Sequence, residues 1–138
     1  MTPLEMEIVT KLVIAAIFGI LIGLEREIHR KPAGMRTHAL VCMGAALFTM
    51  LSFSFSGSNV DESRIAAGIV TGIGFLGAGI VFRAEDRVRG ITTAAELWVL
   101  AAIGVAVGMG MYFAATAATV IVLILLWPAK LIEKRVKR

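Results

Sequence analysis

The residues of this chain that could form buried ion pairs or take up protons are predicted to surround one carboxylate, Glu96. Glu96 is the only acidic residue of a long apolar run that opens at Thr93. Inside a membrane such a carboxylate either pairs with a base or takes up a proton, which makes it a functional candidate. We predict a polar cluster at one membrane level, whose members are Glu25, Arg26, Arg36, His38, Arg89, Thr92, Thr93 and Glu96.

Glu96 also has a purely structural interpretation. Thr93-x-x-Glu96 matches a capping box, in which the glutamate reaches back to the threonine amide at the start of a helix. A carboxylate in the first turn also suits the helix dipole. Capping and partner binding can coexist, so the sequence leaves both interpretations open.

Patterns typical of catalysis or metal binding are absent from the sequence. No nucleophile and base stand at a recognisable spacing, and the two histidines, His29 and His38, form no metal motif. Cys42, the single cysteine, excludes a disulfide within the chain and a cysteine-rich metal site. We therefore expect a protein that is not an enzyme and that has no catalytic residues, metal or cofactor.

The elements that must position these residues are membrane-spanning helices. The chain of 138 residues is 58% hydrophobic and 17% charged, with mean hydropathy +0.86, and is more apolar than soluble domains. The uncharged run Leu97–Trp127 is too long for one span, and Gly108-Met109-Gly110 offers a break. We predict a single all-α domain over residues 1–138, with five transmembrane helices at roughly 4–24, 39–55, 65–82, 92–107 and 111–127 and a short basic tail at 128–138.

The basic residues predict how these helices are oriented. With a break at Gly108–Gly110, all but two of the 14 basic residues lie in the first loop, the third loop and the tail, on one side of the membrane. The positive-inside rule then puts the N-terminus outside and the C-terminus in the cytoplasm. Because the basic residues border apolar spans and no groove-reading motif occurs, they indicate contact with a lipid bilayer and not with nucleic acid.

Glycines are unusually dense in the predicted third helix. Gly72-x-Gly74-x-x-Gly77 matches a dinucleotide-binding pattern, but we reject this match because it lies inside a membrane span. Small residues let membrane helices approach closely, so we predict a helix sandwiched between neighbours. The alternative is a broken helix whose freed carbonyls bind an ion. The predicted packing glycines are Gly19, Gly23, Gly68, Gly72, Gly74, Gly77, Gly79, Gly104 and Gly108.

At these residues the chain resembles the MgtC/SapB family of bacterial inner-membrane proteins. The matching stretches are GLERE (23–27), KPAGMRTHALVCMGAALF (31–48), SRIAAGIVTGIGFLGAGIVF (63–82) and VRGITTAAELW (88–98). The chain stops after a short basic tail, whereas longer members continue into a cytoplasmic, ACT-like domain. We therefore expect the transmembrane part of the family's function and not that of the additional domain.

The resemblance implies a multi-pass protein of the bacterial inner membrane without established enzymatic activity. It also implies a link to magnesium limitation and, in pathogens, to virulence and survival inside host cells. Such a protein would be a regulator that binds other membrane complexes, such as rotary ATP synthase, and its glycine-rich faces would also allow a homo-oligomer. The alternative is a small transporter of magnesium, another cation or protons, with Glu96 near the path. A third interpretation is a scaffold whose motifs only hold the helices together.

Overall fold

The computed structural model describes residues 2–55, 61–84 and 87–127 of the chain, and helices make up most of this part. They are α1 (Pro3–Ile28), α2 (Met35–Ser54), α3 (Ser63–Ile80), α4 (Ile91–Gly108) and α5 (Tyr112–Leu126). The first four are long and apolar enough to cross a membrane, and α5 is a shorter apolar helix of 15 residues. The prediction of an all-α polytopic protein is confirmed, while the predicted tail at 128–138 lies outside the described residues.

Two helices extend beyond their uncharged runs. α1 continues one turn past the apolar segment and ends at Ile28, so Glu25 and Arg26 are helical. α2 begins one turn earlier than predicted and includes His38. The sequence prediction stopped at the first charged residue, but charged side chains at the end of a span can pair with one another or reach the interface. The extra turns carry most of the polar residues discussed below.

Side chains accept hydrogen bonds from amides at the start of three helices. At α1, Thr2 and Glu5 form a capping box, since the Thr2 side chain accepts from the Glu5 amide and the Glu5 carboxylate accepts from the Thr2 amide. At α2, the Glu27 carboxylate accepts from the Met35 amide at 3.0 Å. Before α3, hydrogen bonds from the side chain and backbone of Ser63 to the Asp61 carboxylate hold the pKa of Asp61 below its usual range. Each of these carboxylate or hydroxyl groups satisfies an amide that has no partner within its helix.

α4 is the central helix of the bundle, because it contacts each of the other four helices. Half of its apolar span is buried, compared with 11% for α3. α2 packs against α1 and α4, while α3 lies at the edge of the bundle against α4 and α2. Within the described residues α3 therefore has neighbours in α4 and α2 but keeps most of its span exposed, which differs from the enclosed helix that the sequence predicted. The apolar core consists mainly of Ala15, Ile22, Cys42, Ala46, Leu97, Leu100, Ile103, Val107 and Ala115.

A tight turn joins α4 to α5 at the predicted break. Gly110 has φ +78°, a conformation that favours glycine. Its amide donates to the Val107 carbonyl at 2.9 Å, and the Met111 amide donates to the Ala106 carbonyl at 2.8 Å. These two bonds form a Schellman motif, which satisfies the last carbonyls of α4. The long uncharged run therefore folds as a helical hairpin.

A small β-hairpin, which the sequence did not predict, joins α3 to α4. Strands β1 (Phe82–Ala84) and β2 (Arg87–Arg89) pair antiparallel, with Phe82 opposite Arg89. Gly90 follows with φ +89° and lies against the Ile80 carbonyl, so a Cβ at this position would clash with it. The hairpin and the α1–α2 loop lie at one end of the bundle, where α1 and α3 end and α2 and α4 begin. We call this the Arg26 end.

Two pairs of glycines bring α2 close to both of its neighbours. Gly19 and Gly23 of α1 face the first turn of α2, and Gly104 and Gly108 of α4 face its middle. A Cβ at Gly23 would lie 2.7 Å from the Met35 Cα, and one at Gly108 would lie 2.7 Å from a backbone oxygen of α2. Both pairs are spaced four residues apart, as is typical of close helix crossings in membranes.

The α3 glycines behave differently. A Cβ at Gly77 would make an ordinary contact of 3.4 Å with Ala94 of α4. At four other positions no atom of the described residues lies within 4 Å, so these glycines do not pack against this chain; they are Gly68, Gly72, Gly74 and Gly79. Glycine density predicts that a surface can be approached closely, but it does not say whether the approaching helix belongs to the same chain.

This contrast predicts opposite effects of the same substitution. Gly104→Ala is expected to cost about 1 to 3 kcal/mol, because the added methyl group overpacks the α2–α4 contact. Gly68→Ala is expected to stabilise the chain by about 0.5 to 1 kcal/mol, because it replaces an uncrowded helical glycine. Unfolding in mixed micelles of both variants measures the difference, and equal effects would contradict the assigned packing.

The end of α1 also contains a strained residue. Arg30 has φ +50° and occupies the left-handed position of a Schellman motif, in which the Lys31 amide donates to the Arg26 carbonyl at 3.0 Å. Arg30→Gly is expected to raise the free energy of unfolding by about 1 kcal/mol, because glycine adopts this conformation without strain. Arg30→Ala is the control, since it removes the charge and keeps the strain. A similar gain in both variants would assign the effect to charge.

Candidate functional site

A buried carboxylate joins three helices at the Arg26 end of the bundle. Glu96 lies in the second turn of α4, with its Oε2 2.8 Å from Arg26 Nε of α1 and its Oε1 3.0 Å from His38 Nε2 of α2. All three side chains are almost completely buried. Opposite charges stabilise the ionised forms of buried groups, so this contact compensates for removing Glu96 from water.

Arg26 connects this carboxylate to two further groups. Its Nη2 donates to the Thr93 hydroxyl at 3.0 Å, and its Nη1 lies 3.6 Å from Glu25 Oε2. The Nε–H is not aligned with Glu96 Oε2, so that contact is an ion pair without a well-formed hydrogen bond. Arg26 therefore lies between two carboxylates, with Thr93 as its aligned hydrogen-bond partner.

His38 lies between two groups that accept hydrogen bonds. Nδ1 lies 2.9 Å from the Gly34 carbonyl oxygen, and Nε2 lies 3.0 Å from Glu96 Oε1. Which nitrogen donates depends on the tautomer, since a neutral imidazole has one N–H and an imidazolium has two. The ring therefore lies between the N-cap of α2 and the carboxylate of α4.

Arg26 is the counter-charge of the two buried carboxylates. Its Nε lies 2.8 Å from Glu96 Oε2, and its Nη1 lies 3.6 Å from Glu25 Oε2. An apolar environment requires such pairing, because an uncompensated buried charge costs several kcal/mol. These groups and His38 come from three helices, which makes their positions interdependent.

Glu25 forms a second, smaller contact on the outer side of Arg26. Its Oε1 lies 2.6 Å from His29 Nδ1, and that nitrogen also lies 2.8 Å from the Glu25 carbonyl oxygen. His29 was not among the predicted cluster residues. The spacing of four residues on one helix is the signal that could have identified it, because such positions face each other.

The structure brings together five of the eight predicted cluster residues, namely Glu25, Arg26, His38, Thr93 and Glu96. Arg36, Arg89 and Thr92 are exposed and lie outside this buried set. The positions of these three residues along the chain explain why their side chains lie outside the buried set. Arg36 is two residues from His38 and Thr92 is next to Thr93, so each points to another side of its helix, and Arg89 ends β2 before α4 begins.

The predicted capping box at the start of α4 is wrong. The helix begins at Ile91 with Gly90 as its N-cap, and no side chain caps it. Thr93 instead accepts from Arg26, and Glu96 contacts Arg26 and His38. The two side chains are thus used for contacts between helices and not for the helix end.

The geometry of the cluster does not resemble a metal centre. Within residues 2–55, 61–84 and 87–127, no three histidine, cysteine, aspartate or glutamate side chains are placed to hold a metal ion. Both oxygens of Glu96 face nitrogen atoms of this chain, whereas magnesium takes oxygen ligands in an octahedral arrangement. The arrangement can fix three helices against one another.

Comparison with known proteins identifies relatives of this chain. A model described as the MgtC family matches residues 12–135. "Putative magnesium transporter YhiD" of Escherichia coli (strain K12) is 46% identical over 113 residues, which cover 77% of this chain and 53% of that protein. "Protein MgtC" of Salmonella typhimurium (strain LT2) is 49% identical over 115 residues, which cover 83% and 49%. The chain spans about half the length of these curated relatives, and no solved structure matches it.

The buried ion pair predicts strong coupling between two substitutions. Arg26→Gln and Glu96→Gln are each expected to cost about 3 to 5 kcal/mol, because each leaves a partner charge uncompensated. The double variant is expected to cost about 1 to 3 kcal/mol less than the sum of the two. Unfolding in mixed micelles measures the cycle. Arg36→Gln is the matched control and should change stability by less than about 0.5 kcal/mol. Additive losses would contradict the pairing.

Proposed function

The chain belongs to the MgtC family, and on this premise we propose that it is a non-enzymatic regulator that binds a helix of another membrane protein. The proposal rests on a pair of glycines in α3, Gly68 and Gly72, against which no described residue packs. Gly68 and Gly72 have the same spacing as the glycine pairs of α1 and α4. The backbone of α2 packs against each of those two pairs. The α3 pair faces open space in the described part of the chain.

An apolar groove lies beside this pair of glycines. It has a volume of about 760 Å³ and lies between α2, α3 and α4. Gly44 of α2 also lines it, and there too a Cβ would meet no described atom within 4 Å. Lipid tails are as apolar as leucine, so association in a membrane depends on close backbone approach, which three glycines permit. This supports a helix as the ligand of the groove.

We further propose that the Arg26 end faces the cytoplasm of a bacterial inner membrane. Arg30, Lys31, Arg36 and Arg89 are exposed at this end. An excess of basic residues next to the spans is typical of the cytoplasmic side. The relatives support a link to magnesium, and we expect this chain to act when magnesium is limiting.

The second candidate function is transport of magnesium, other cations or protons. The name of the Escherichia coli relative favours it. The surroundings of Glu96 favour the regulator, because both oxygens of this carboxylate already contact Arg26 and His38. A transport path through Glu96 would require these contacts to open.

Substitutions on two faces of α3 test the regulator. Gly72→Leu places a large side chain in the groove, and Gly74→Leu places the same side chain on another face, also in open space. Both variants should fold with a stability within about 1 kcal/mol of the parent. We expect only Gly72→Leu to abolish complementation of growth at low magnesium in cells that lack the protein.

Photo-crosslinking identifies the occupant of the groove in the same cells. A photoreactive residue in place of Gly72 should give a discrete adduct with another membrane protein, and one in place of Gly74 should not. An adduct with a second, differently tagged copy alone would indicate self-association and contradict the proposal. Magnesium or proton flux in proteoliposomes that Glu96→Gln abolishes would favour transport.

A further inference from the structure

A pocket with basic walls lies between the end of α1 and the start of α2, at the Arg26 end. It has a volume of about 620 Å³. Three cationic side chains line it, Arg30 and Lys31 from the α1–α2 loop and Arg36 from the first turn of α2. All three are exposed, and none of them forms an ion pair with another described residue. Three positive charges therefore converge on one accessible space.

The carboxylate among the described lining residues of this pocket, Glu27, is already engaged. Its Oε2 accepts from the Met35 amide at 3.0 Å, which holds the side chain against the first turn of α2. The lining therefore carries an excess of positive charge, and the three cations repel one another. A ligand with negative charge would be stabilised between them.

Hydrogen bonds fix the backbone around the pocket. The Arg30 amide donates to the Glu27 carbonyl at 3.0 Å, and the Lys31 amide donates to the Arg26 carbonyl at 3.0 Å. Arg30 has φ +50°, a conformation in which glycine is the usual residue, so this position carries a charge at a cost in strain. Because the loop is already ordered, binding a ligand here costs little conformational freedom.

The pocket lies at the level of the lipid headgroups. α1 and α2 are both long and apolar enough to cross a membrane, and the pocket lies where the first ends and the second begins. The exposed apolar side chains of Ile28 and Leu40 lie within about one helical turn of its cationic residues. A lipid can thus present its phosphate to the pocket while its acyl chains stay in the bilayer beside α1 and α2.

We propose that this pocket binds the phosphate group of an anionic phospholipid, with Arg30, Lys31 and Arg36 as its cationic ligands. Guanidinium groups bind phosphate oxygens through paired, charge-assisted hydrogen bonds. A zwitterionic headgroup brings an ammonium that the three cations repel, so a lipid with net negative charge is selected. The site is separate from the groove between α2, α3 and α4 and does not depend on the proposed regulatory function.

Native mass spectrometry of the intact chain, released from detergent micelles, tests the site. The probes are phosphatidylglycerol and phosphatidylcholine with the same acyl chains. We expect one molecule of phosphatidylglycerol to bind about tenfold more tightly than phosphatidylcholine, because each basic residue near a membrane surface contributes a factor of about five and Glu27 offsets part of it.

Substitutions in and beside the pocket separate it from the general charge of this end. Lys31→Gln and Arg36→Gln should each reduce the preference about three- to fivefold. Arg89→Gln is the matched control and should reduce it less than about twofold, because Arg89 is exposed at the same end but is not among the described residues of the lining. Glu27→Gln should increase the preference, because glutamine can still accept from the Met35 amide but has no charge.

Arg30→Gly separates binding from folding. Glycine removes the strain at φ +50°, so this variant should be more stable than the parent chain. It should nevertheless lose about three- to fivefold of the preference for phosphatidylglycerol, because one cation of the pocket is gone. A loss of binding in a more stable variant cannot be attributed to misfolding.

Three results would overturn the assignment. Equal binding of phosphatidylglycerol and phosphatidylcholine would show that the pocket does not select anions. Equal losses in Arg36→Gln and Arg89→Gln would show that the overall charge of this end attracts the lipid. Displacement of phosphatidylglycerol by inorganic phosphate or glycerol phosphate, at concentrations that leave Arg89→Gln and the parent chain equally folded, would show that the ligand is a soluble phosphate compound and not a lipid.

Discussion

The buried contact of Glu96 with Arg26 and His38 is the interaction on which the rest of the structure depends. A charge within an apolar bundle is stable only beside its counter-charge, and here each of α1, α2 and α4 contributes one member. Displacing one of these helices would leave a charge on the other two uncompensated. The three helices therefore form one unit, and the ion pairs determine their register along the membrane normal.

The glycines of this unit serve the same contact. A Cβ at Gly23 would lie 2.9 Å from the Cβ of His38, so glycine at this position leaves room for the start of the His38 side chain. Without this close approach His38 could not be held between α1 and α4 at hydrogen-bond distance from Glu96. Close packing and charge pairing are thus two parts of one arrangement, and neither alone would hold α1, α2 and α4 together in this way. α3 and α5 have no member in the cluster and contact the unit through apolar and small residues.

Much of this fold could be predicted from the sequence, because length, apolar runs and the Gly108–Gly110 break locate the helices. The sequence also identified Arg26, His38 and Glu96 as members of one polar cluster. It could not separate them from Arg36 and Thr92, because one or two residues along a helix move a side chain to another face. It also left a capping box open for Thr93 and Glu96 beside the partner-binding interpretation, since a local pattern contains no information on a distant arginine. The central position of α4 depends on contacts between distant segments, which glycine density does not reveal.

The groove between α2, α3 and α4 differs from other apolar surfaces of the bundle in what it can recognise, and the difference follows from the solvent. In a bilayer, lipid tails already cover an exposed apolar surface, so apolar area alone selects no ligand. This groove can select by shape, because Gly44, Gly68 and Gly72 admit a backbone more closely than lipid tails require. The groove between α1 and α5 is lined by larger side chains, with no glycine among its described lining residues, so it offers no comparable approach to a helix backbone.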